Sequence, residues 1–473
     1  MSLSELIPIV NGRIKVHPFN LKLEELKIER KINDHVRVNL RGVLLGEDAV
    51  MGDQYVTAID GKTKVVIDHV NEVGVLMQNL FTGIVAWIKV EHDGGNTYLE
   101  AECVSHTYNL DIHIKKRSFQ DVKLTYEALL DKFEGEYQAT IKNMVGEKAT
   151  LGEFTLQYNE TDWQFLQRLA SRFGTGLIAD ASIDKPRFWF GVPQNEKVYH
   201  YRDLEVIKCQ LGKKVSQNRH HETNIFFYYQ LETHRILNIG DQVTFKDGRK
   251  LYVCESIAIL KEGTLKFIYT LGNGDDLGQN KISNQRIVGV SVGATVIAVE
   301  KEKVKLAFDL DKESVTKEKA TMFTYATSYS AAGNTGWYCM PEVGDKVQVY
   351  FPNNEEWQGF AIAASRSAGG KTGVSEVKYW RTKHGREIKF SKEEIEISVE
   401  TKEGKVSVIK FNGKNGFVIN TKKRIEIGNA KKILLNAKQR VVIEAKEAIK
   451  LDVKQSNLQL DGGVKVNGTV IKM

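Results

Sequence analysis

The sequence is short of cysteine and proline. Its 473 residues include only 4 cysteines and 6 prolines, against 39 glycines. Cys103, Cys209, Cys254 and Cys339 are far apart and form no C-x-x-C pair, which argues against a disulfide framework or a zinc ribbon. We therefore expect reduced, mostly buried thiols in a protein made in the cytosol. Few prolines and many glycines suit a β-rich chain with many turns.

Targeting and membrane-spanning segments are also lacking. The start, MSLSELIPIVNGRIKV, has no basic region followed by an apolar stretch, so the sequence predicts no secretory signal peptide. No apolar run approaches the roughly 20 residues that span a bilayer. We expect a protein made in the cytoplasm, which leaves the cell only as part of a particle or by a route without a signal peptide.

Catalytic and cofactor motifs are missing as well: there is no G-x-S-x-G, H-E-x-x-H, Walker A or dinucleotide fingerprint. Glu160 and Asp162 could be a carboxylate pair, but i and i+2 diverge at a helix start, which favours capping roles. A metal site at the pair formed by His220 and the next histidine is less favoured than a surface turn. The run from Asp309 to Glu313, with Asp311 between, lacks EF-hand spacing and is expected to be a solvated loop. The sequence therefore predicts no catalytic residue, no metal and no cofactor.

Positive charge is concentrated at the C-terminal end. Residues 376–473 contain 22 Lys+Arg and 12 Asp+Glu, a net +10, so the remainder is +7 − 10 = −3. These lysines alternate with apolar residues, and Phe417 is the only aromatic residue after Phe411. A solvated outer face of a β structure is therefore favoured over a nucleic-acid site.

An eight-residue repeat occupies the same region. Each unit has apolar residues at i and i+2, which lie on one face of a strand. The pairs are Ile409/Phe411, Phe417/Ile419, Ile425/Ile427, Ile433/Leu435, Val441/Ile443 and Ile449/Leu451. After Leu451 the period slips and glycines accumulate, as at a tapering end.

Eight residues span at most about 26 Å and cannot bury their own apolar face. Three arrangements remain open: a triangular prism of three chains, a single-chain roll, and an antiparallel meander on another domain. The prism is favoured, because the roll usually needs Gly- and Asp-rich Ca²⁺ turns and the meander needs Gly at more corners. The paired residues then form the core of a trimeric needle.

The rest of the chain is mainly strands, with two helices. Apolar spacing predicts a helix over about 122–134, and a second one follows Thr161 as N-cap, with Gly174 at its C-terminal end. Polar, Gly-rich connectors at 272–281 and 366–376 separate the chain into domains.

Several segments resemble the hub-and-spike family of contractile tails, which includes VgrG of type VI secretion and the central spikes of phage tails and R-type bacteriocins. Residues 158–174, YNETDWQFLQRLASRFG, are similar to the family's Y-x-E-x-D-x-x-F-L-x-R-L stretch. Residues 336–351, GWYCMPEVGDKVQVYF, are similar to its P-x-x-G-D-x-V-x-V-x-F run. The octads resemble its triple-stranded β-helix, and residues 379–390 its lead-in, with His384 and Gly385.

The resemblance implies a mainly β fold with a few helices and four parts. These are a hub of two β-barrel-like subdomains with helical insertions (1–280), an OB-like domain (286–366), a connector (367–383) and an intertwined triple-stranded β-helix needle (384–473). It implies a homotrimer that joins a tail tube to the needle, contacts baseplate proteins, carries effectors and pierces a target membrane transiently.

The C-terminal end of the sequence indicates how the tip of the needle is formed. Some family needles bind iron through H-x-H, but the last histidine here is His384, so a separate PAAR-like tip protein is expected at Val470, Ile471 and Met473. No lysozyme domain lies between the OB-like unit and the needle, which argues against the alternative of a tail-associated cell-wall hydrolase. A tail module that binds glycan or nucleic acid is the other alternative.

Overall fold

A computed structural model gives the fold. It describes residues 13–71, 73–193, 197–217, 223–261, 263–313, 315–327, 330–331, 335–336, 339–362, 376–402, 404–454, 456–460 and 464–467. The chain divides into two units, residues 1–368 and 369–473. In the described residues, no helix is long and apolar enough to span a membrane.

The regular structure of the first unit is mainly β-strand. Its strands are β1 (Arg13–His17), β2 (Leu21–Lys31), β3 (Arg37–Leu44), β4 (Lys64–Val70), β5 (Leu76–Asp93), β6 (Asn96–Ser105), β7 (Lys115–Phe119), β8 (Thr140–Asn143), β9 (Thr155–Glu160), β10 (Leu177–Asp180), β11 (Arg187–Phe190), β12 (Val198–His200), β13 (Lys208–Gln217), β14 (Thr223–Thr233), β15 (Gln242–Thr244), β16 (Lys250–Lys261), β17 (Thr264–Gly272), β18 (Val290–Glu300), β19 (Lys303–Phe308), β20 (Met322–Thr324), β21 (Ser330–Ala331), β22 (Thr335–Gly336), β23 (Lys346–Phe351) and β24 (Phe360–Ile362).

Twelve of these strands form one nearly closed, barrel-like sheet. Its order is β1-β4-β5-β6-β3-β2-β16-β17-β14-β13, and β15 pairs with β16 and β12 beside that path. Pairing of β2 with β16, for example Ile28 opposite Ala258, joins the N-terminal strands to the later ones. Strand β3 buries Val38 and Leu40 and exposes Arg37 and Asn39, the alternation expected of a sheet with one face on the core.

The described helices are α1 (Glu47–Val50), α2 (Gly52–Ala58), α3 (Tyr126–Tyr137) and α4 (Asp162–Ser171). Helix α3 begins four residues later than the sequence pattern predicts, because Leu124 N–H bonds back to Asp121 and Thr125 is the N-cap. Helix α4 is confirmed: the Thr161 hydroxyl accepts from Gln164 N–H at 3.2 Å, and Gly174 has the positive φ, 66°, of a helix C-terminal glycine.

The OB-like part is a five-stranded barrel, as the fold-class prediction states. The sheet order is β20-β19-β18-β23-β24, and a parallel bridge between Tyr325 and Ala361 joins its two ends. Counted from β18, this is the order 1-2-3-5-4 closing on itself, a five-stranded Greek-key barrel. Its core includes Phe154, which precedes β9, and Leu156, which lies in β9, so the two predicted parts share buried side chains.

The second unit begins with a five-stranded antiparallel meander of β25 (Lys378–Arg381), β26 (Arg386–Phe390), β27 (Glu394–Thr401), β28 (Gly404–Asn412) and β29 (Gly416–Thr421). Residues 424–448 have no strand pairing. A three-stranded sheet of β30 (Ile449–Val453), β31 (Ser456–Leu460) and β32 (Val464–Asn467) follows.

The expectation of mostly buried cysteines is only half right. Cys103 is buried and Cys254 is partly buried, whereas Cys209 and Cys339 are exposed. All four thiols are free. Burial raises the pKa of the Cys103 and Cys254 thiols to about 12, so these two are unreactive packing residues.

Candidate functional site

Two arginines, Arg168 in α4 and Arg172 at its C-cap, organise a buried ionic cluster. Arg168 and Arg172 are four residues apart, and this spacing places their side chains next to each other on a helix. Arg168 donates from Nε and Nη2 to the two carboxylate oxygens of Glu160, at 2.8 and 2.9 Å. Both partners are almost fully buried. This bidentate pair holds the last turn of α4 against the end of β9.

The same arginines reach a carboxylate of the OB-like barrel. Glu356 lies in the single-turn 3-10 helix Glu356–Gln358, and its Oε1 lies 2.7 Å from Arg168 Nη1. Its other oxygen accepts from Arg172 Nη2 at 3.2 Å. Burial raises the pKa of the Glu356 carboxyl, and the two guanidinium groups oppose that rise. We call Glu160, Arg168, Arg172 and Glu356 the junction cluster, because it connects β9 and α4 to the barrel.

A second connection runs between β7 and the barrel. Asp311 accepts from the backbone N–H of Ser118 at 2.6 Å and from its hydroxyl at 2.5 Å. Gln120 donates to the carbonyl of Leu306 at 3.0 Å, and Thr321 donates to the Gln120 carbonyl at 2.7 Å. Burial raises the pKa of the Asp311 carboxyl. The barrel is therefore attached at two separate places.

The candidate carboxylates Glu160 and Asp162 form separate ion pairs and do not face each other as a catalytic pair. Asp162 is fully buried and accepts from Arg117 Nη2 and Lys115 Nζ, both at 2.6 Å. Burial alone lowers the pKa of the Lys115 ammonium, but its bonds to Asp162 and Glu136 outweigh burial and raise it. Glu160 is held by Arg168, so each carboxylate has its own cation.

The remaining candidates from the sequence are three acidic residues, Asp309, Asp311 and Glu313, and a pair of histidines. Asp309 pairs with Lys346 at 2.7 Å. The expectation of a solvated loop is wrong for Asp311, which anchors β7, and fits the exposed Glu313. His220 and His221 lie outside the described residues. Within the described part of the chain, no group of three or more His, Cys, Asp or Glu side chains could hold a metal ion.

In the second unit, apolar residues form two rows across the five-stranded meander. Cross-strand pairing places Trp380, Ile388, Ile397, Ile409 and Ile419 in one row. The second row consists of Phe390, Ile395, Phe411 and Phe417. Because paired residues point to the same side of a sheet, the two rows make one surface, which we call the apolar face.

The apolar face is exposed although it is built from large hydrophobic side chains. Ile395 is 41% exposed, Ile397 42% and Phe417 59%. On the opposite side of β27, Glu396 and Ser398 are 2% and 3% exposed. Strand β27 thus buries its polar residues and exposes its apolar ones, the reverse of the usual alternation.

The polar side of the meander is satisfied by charge pairing. Glu396 accepts hydrogen bonds from Lys405 and from Lys410, the latter with an ion-pair distance of 2.9 Å. Burial acts to raise the pKa of the Glu396 carboxyl, but the two lysines outweigh it and lower the pKa to about 2. The buried Glu396 carboxylate is therefore neutralised by lysines of the meander itself.

The first two octad units differ from a simple strand-and-corner repeat. Ile409 pairs with Ile419 and Phe411 with Phe417, so these units form an antiparallel hairpin. The reason is the segment NGKNG: the Asn412 side chain accepts from two backbone N–H groups of the turn, and Gly416 has φ 72°.

The middle units are extended and unpaired in the single chain. Bends recur at residues 422–423, 430–431, 438–439 and 446–447, which is an eight-residue period. Among the described residues, no backbone–backbone hydrogen bond involves 423–448. Their apolar side chains are at least half exposed; they are Ile425, Ile427, Ile433, Leu435, Val441 and Ile443. These unpaired peptide groups and exposed apolar side chains could pair with and pack against another strand.

The last unit and the end of the chain are only partly described. Ile449 pairs with Leu460 and Leu451 with Leu458 across β30 and β31. The predicted tip residues Val470, Ile471 and Met473 lie outside the described residues.

Sequence reasoning missed parts of both sites. Arg168 and Glu356 are hydrophilic residues far apart in the chain, and no local pattern joins them. The residues of the apolar face that precede the octads could have been predicted from local sequence. Glu387–Phe390 and Glu394–Ser398 alternate polar and apolar residues as the octads do, although they lack the eight-residue period.

Comparisons with known proteins show which families and folds this chain resembles. The family model described as the phage tail baseplate hub (GPD) matches residues 57–183. No curated protein sequence matches the chain. A solved Escherichia coli protein, c3393, is described as a type VI secretion component with structural similarity to the T4 bacteriophage tail proteins gp27 and gp5. It is 11% identical, with 75% of this chain and 100% of that chain covered and a TM-score of 0.50.

Two further structures are similar in fold. The half-lidded Francisella PdpA–VgrG complex contains a chain that is 10% identical, with coverage of 89% of this chain and 90% of that one and a TM-score of 0.56. The lidless complex gives 10% identity, 85% and 94% coverage, and a TM-score of 0.56. Residues 57–183 thus match the phage tail baseplate hub family, and the chain shares its fold with the solved VgrG-containing structures. The family match covers residues 57–183, and the solved structures extend the likeness in fold over most of the chain.

Proposed function

We propose that the protein acts as a homotrimeric central hub and spike of a contractile injection machine. It connects the tail tube to a membrane-piercing needle and carries a separate tip protein. Its work is mechanical: the needle transmits force when the sheath contracts. The proposal covers four types of machine: a phage tail, a bacteriocin, an extracellular injector and a type VI system.

The inverted burial of β27 is the observation that carries this proposal. A folded monomer gains nothing from exposing Ile395 and Ile397 while it buries Glu396. The arrangement becomes favourable when copies of the apolar face pack against each other around a common axis. The face then becomes core, and the charged sides of the meander face solvent.

The magnitude supports assembly. Fully burying a large apolar side chain contributes about 1.5–3 kcal/mol, so a half-exposed one gains roughly half of that. With the two rows and the six middle octad residues, each chain gains on the order of 10 kcal/mol from association. Backbone pairing between chains would also satisfy the peptide groups of residues 423–448.

The junction cluster and the Ser118–Asp311 contact support a rigid collar. Charged hydrogen bonds that are buried and bidentate are shorter and stronger than exposed ones. Together with Phe154 inside the barrel core, they fix the OB-like barrel to α4. A collar attached in this way can pass axial force without rotating against the hub.

The further partners follow from the same role. We propose that the hub binds the tail tube protein and baseplate proteins, that the C-terminal end from Val470 to Met473 binds a PAAR-like tip protein, and that effectors are carried along. The protein is released from its cell with the particle on contraction. Neither the family match nor the structural likeness supports the cell-wall hydrolase alternative, and clear muralytic activity of the purified protein would contradict a purely mechanical role.

Two neighbouring substitutions test the needle. Strand alternation places Ile433 on the needle axis and Leu434 outside. Ile433→Asp would bring three carboxylates together in an apolar core, so we expect loss of the trimeric needle by sedimentation velocity. Leu434→Asp is the matched control and should leave a trimer. A wild-type-like trimer for Ile433→Asp would contradict the proposed packing.

A further inference from the structure

The middle of the needle segment carries an unusual outer surface. Residues 422–448 contain 8 Lys+Arg and 3 Asp+Glu, a net charge of +5 per chain. Each of the four bends contains a lysine: Lys422 and Lys423, Lys431, Lys438 and Lys446. The eight-residue bend period therefore places positive charge at every corner of this segment.

Most of these cations lack an intramolecular partner. Among the described residues, Arg424 pairs with Glu426 at 2.5 Å. In the same described set, no carboxylate lies within ion-pair distance of the remaining basic residues of the segment, which are Lys422, Lys423, Lys431, Lys432, Lys438, Arg440 and Lys446. All of them are exposed. They are available to an external anion.

The outward positions between the bends add a second feature. If Ile433/Leu435 and Val441/Ile443 point to the needle axis, Leu434 and Val442 point outward, since successive side chains alternate. Leu434 is 70% and Val442 62% exposed. The corresponding residue of the preceding unit is Glu426, so within residues 422–448 the apolar outward positions are those of the two later units.

Basic residues that border exposed aliphatic ones match the chemistry of a lipid interface. Lysine and arginine bind the anionic headgroups, while leucine and valine enter the boundary of the acyl region. Nucleic acid fits less well, because single strands are gripped by aromatic stacking and no aromatic residue follows Phe417.

We propose that residues 430–446, here called the basic band, bind the anionic surface of a lipid bilayer. The band has 5 Lys+Arg and 1 Glu, a net charge of +4 per chain, so a trimer presents three copies. This proposal rests on the trimeric spike proposed above. It gives the needle a chemical preference for anionic membranes in addition to its mechanical action.

Vesicle binding by the full-length protein tests the band. The protein is sedimented with phosphatidylcholine vesicles and with phosphatidylcholine vesicles containing phosphatidylglycerol. Binding to the second kind only, weakened by added salt, is the expected result. Equal binding to both kinds, or to neither, overturns the proposal.

The decisive variant carries Lys431→Gln, Lys432→Gln, Lys438→Gln and Arg440→Gln. Even one basic residue at an anionic surface contributes about fivefold in binding, so the partition coefficient should fall by at least that factor. The matched control removes four exposed lysines of the first unit, through Lys123→Gln, Lys132→Gln, Lys185→Gln and Lys246→Gln. Both variants reduce the net charge from +7 to +7 − 4 = +3 per chain. An equal fall in the control would mean a general charge effect and would refute the band.

A second variant separates lipid insertion from simple attraction. Leu434→Ser with Val442→Ser keeps every charge and should also weaken vesicle binding, whereas its binding to duplex DNA should not change. Band-dependent DNA binding without vesicle binding would identify nucleic acid as the partner and overturn the proposal. Each variant is checked for the trimer by sedimentation: a trimer that ignores vesicles refutes only the band, and a monomeric wild type refutes the proposed spike itself.

Discussion

Arg168 Nη1 and Glu356 Oε1 lie 2.7 Å apart, with both side chains only 4% exposed. One residue is on α4 and the other is 188 positions later, in the OB-like barrel. The contact therefore joins α4 to the OB-like barrel within a buried cluster.

Removal of Glu356 should destabilise the first unit strongly. Glu356→Ala leaves Arg168 and Arg172 buried with one carboxylate fewer, and breaking a buried pair costs about 3–5 kcal/mol. The measurement is the urea midpoint of unfolding. Glu355→Gln is the control, because Glu355 pairs with Lys281 near the surface and such pairs contribute about 0–1 kcal/mol. Equal midpoints for the two variants would show that the junction cluster does not hold the barrel.

The aromatic core of the barrel should depend on a residue from outside it. Phe154 is 2% exposed and packs against Phe308, Phe323 and Phe351, with ring centroids 5.0–6.2 Å away. Phe154→Ala should cost about 3–5 kcal/mol in the free energy of unfolding. Phe173→Ala removes a ring that is 41% exposed and should cost much less.

Acid should weaken the second unit through Glu396. Its carboxyl pKa is lowered from 4.5 to about 2 in the fold, so its contribution to stability is present above pH 4.5 and is lost as the pH falls toward about 2. Thermal unfolding of Glu396→Gln should therefore depend less on pH over this range than that of the wild type. Glu426→Gln, which removes an exposed carboxylate, is the control. Parallel pH curves for Glu396→Gln and wild type would contradict the lysine-paired carboxylate.

Opposite faces of β29 should respond differently to charge. Ile419 on the apolar face and Val418 behind it are 45% and 38% exposed, so exposure alone does not distinguish them. Ile419→Asp should prevent association because the carboxylate enters the interface. Val418→Asp lies opposite Lys410 and should leave assembly intact. Assembly by both variants, measured by sedimentation, would place the interface elsewhere.

Much of the fold could be predicted from local sequence patterns. The cap at Thr161, the apolar stripe of α4 and the eight-residue period are all visible in the sequence, because each depends on residues within one or two turns. The hairpin at Ile409–Ile419 was missed since NGKNG reverses the chain within the repeat. The pairing of Arg168 with Glu356 could not be predicted, because it depends on how the barrel lies on α4. The exposure of Ile395 and Ile397 also appears only in the fold, where Glu396 occupies the buried side.

Sedimentation velocity of the full-length protein tests the central claim most directly. The account predicts a stable species of about 160 kDa, three times the 53.5 kDa of one chain. A single species at the mass of one chain would contradict it, because the apolar face and the unpaired octads would then have no partner.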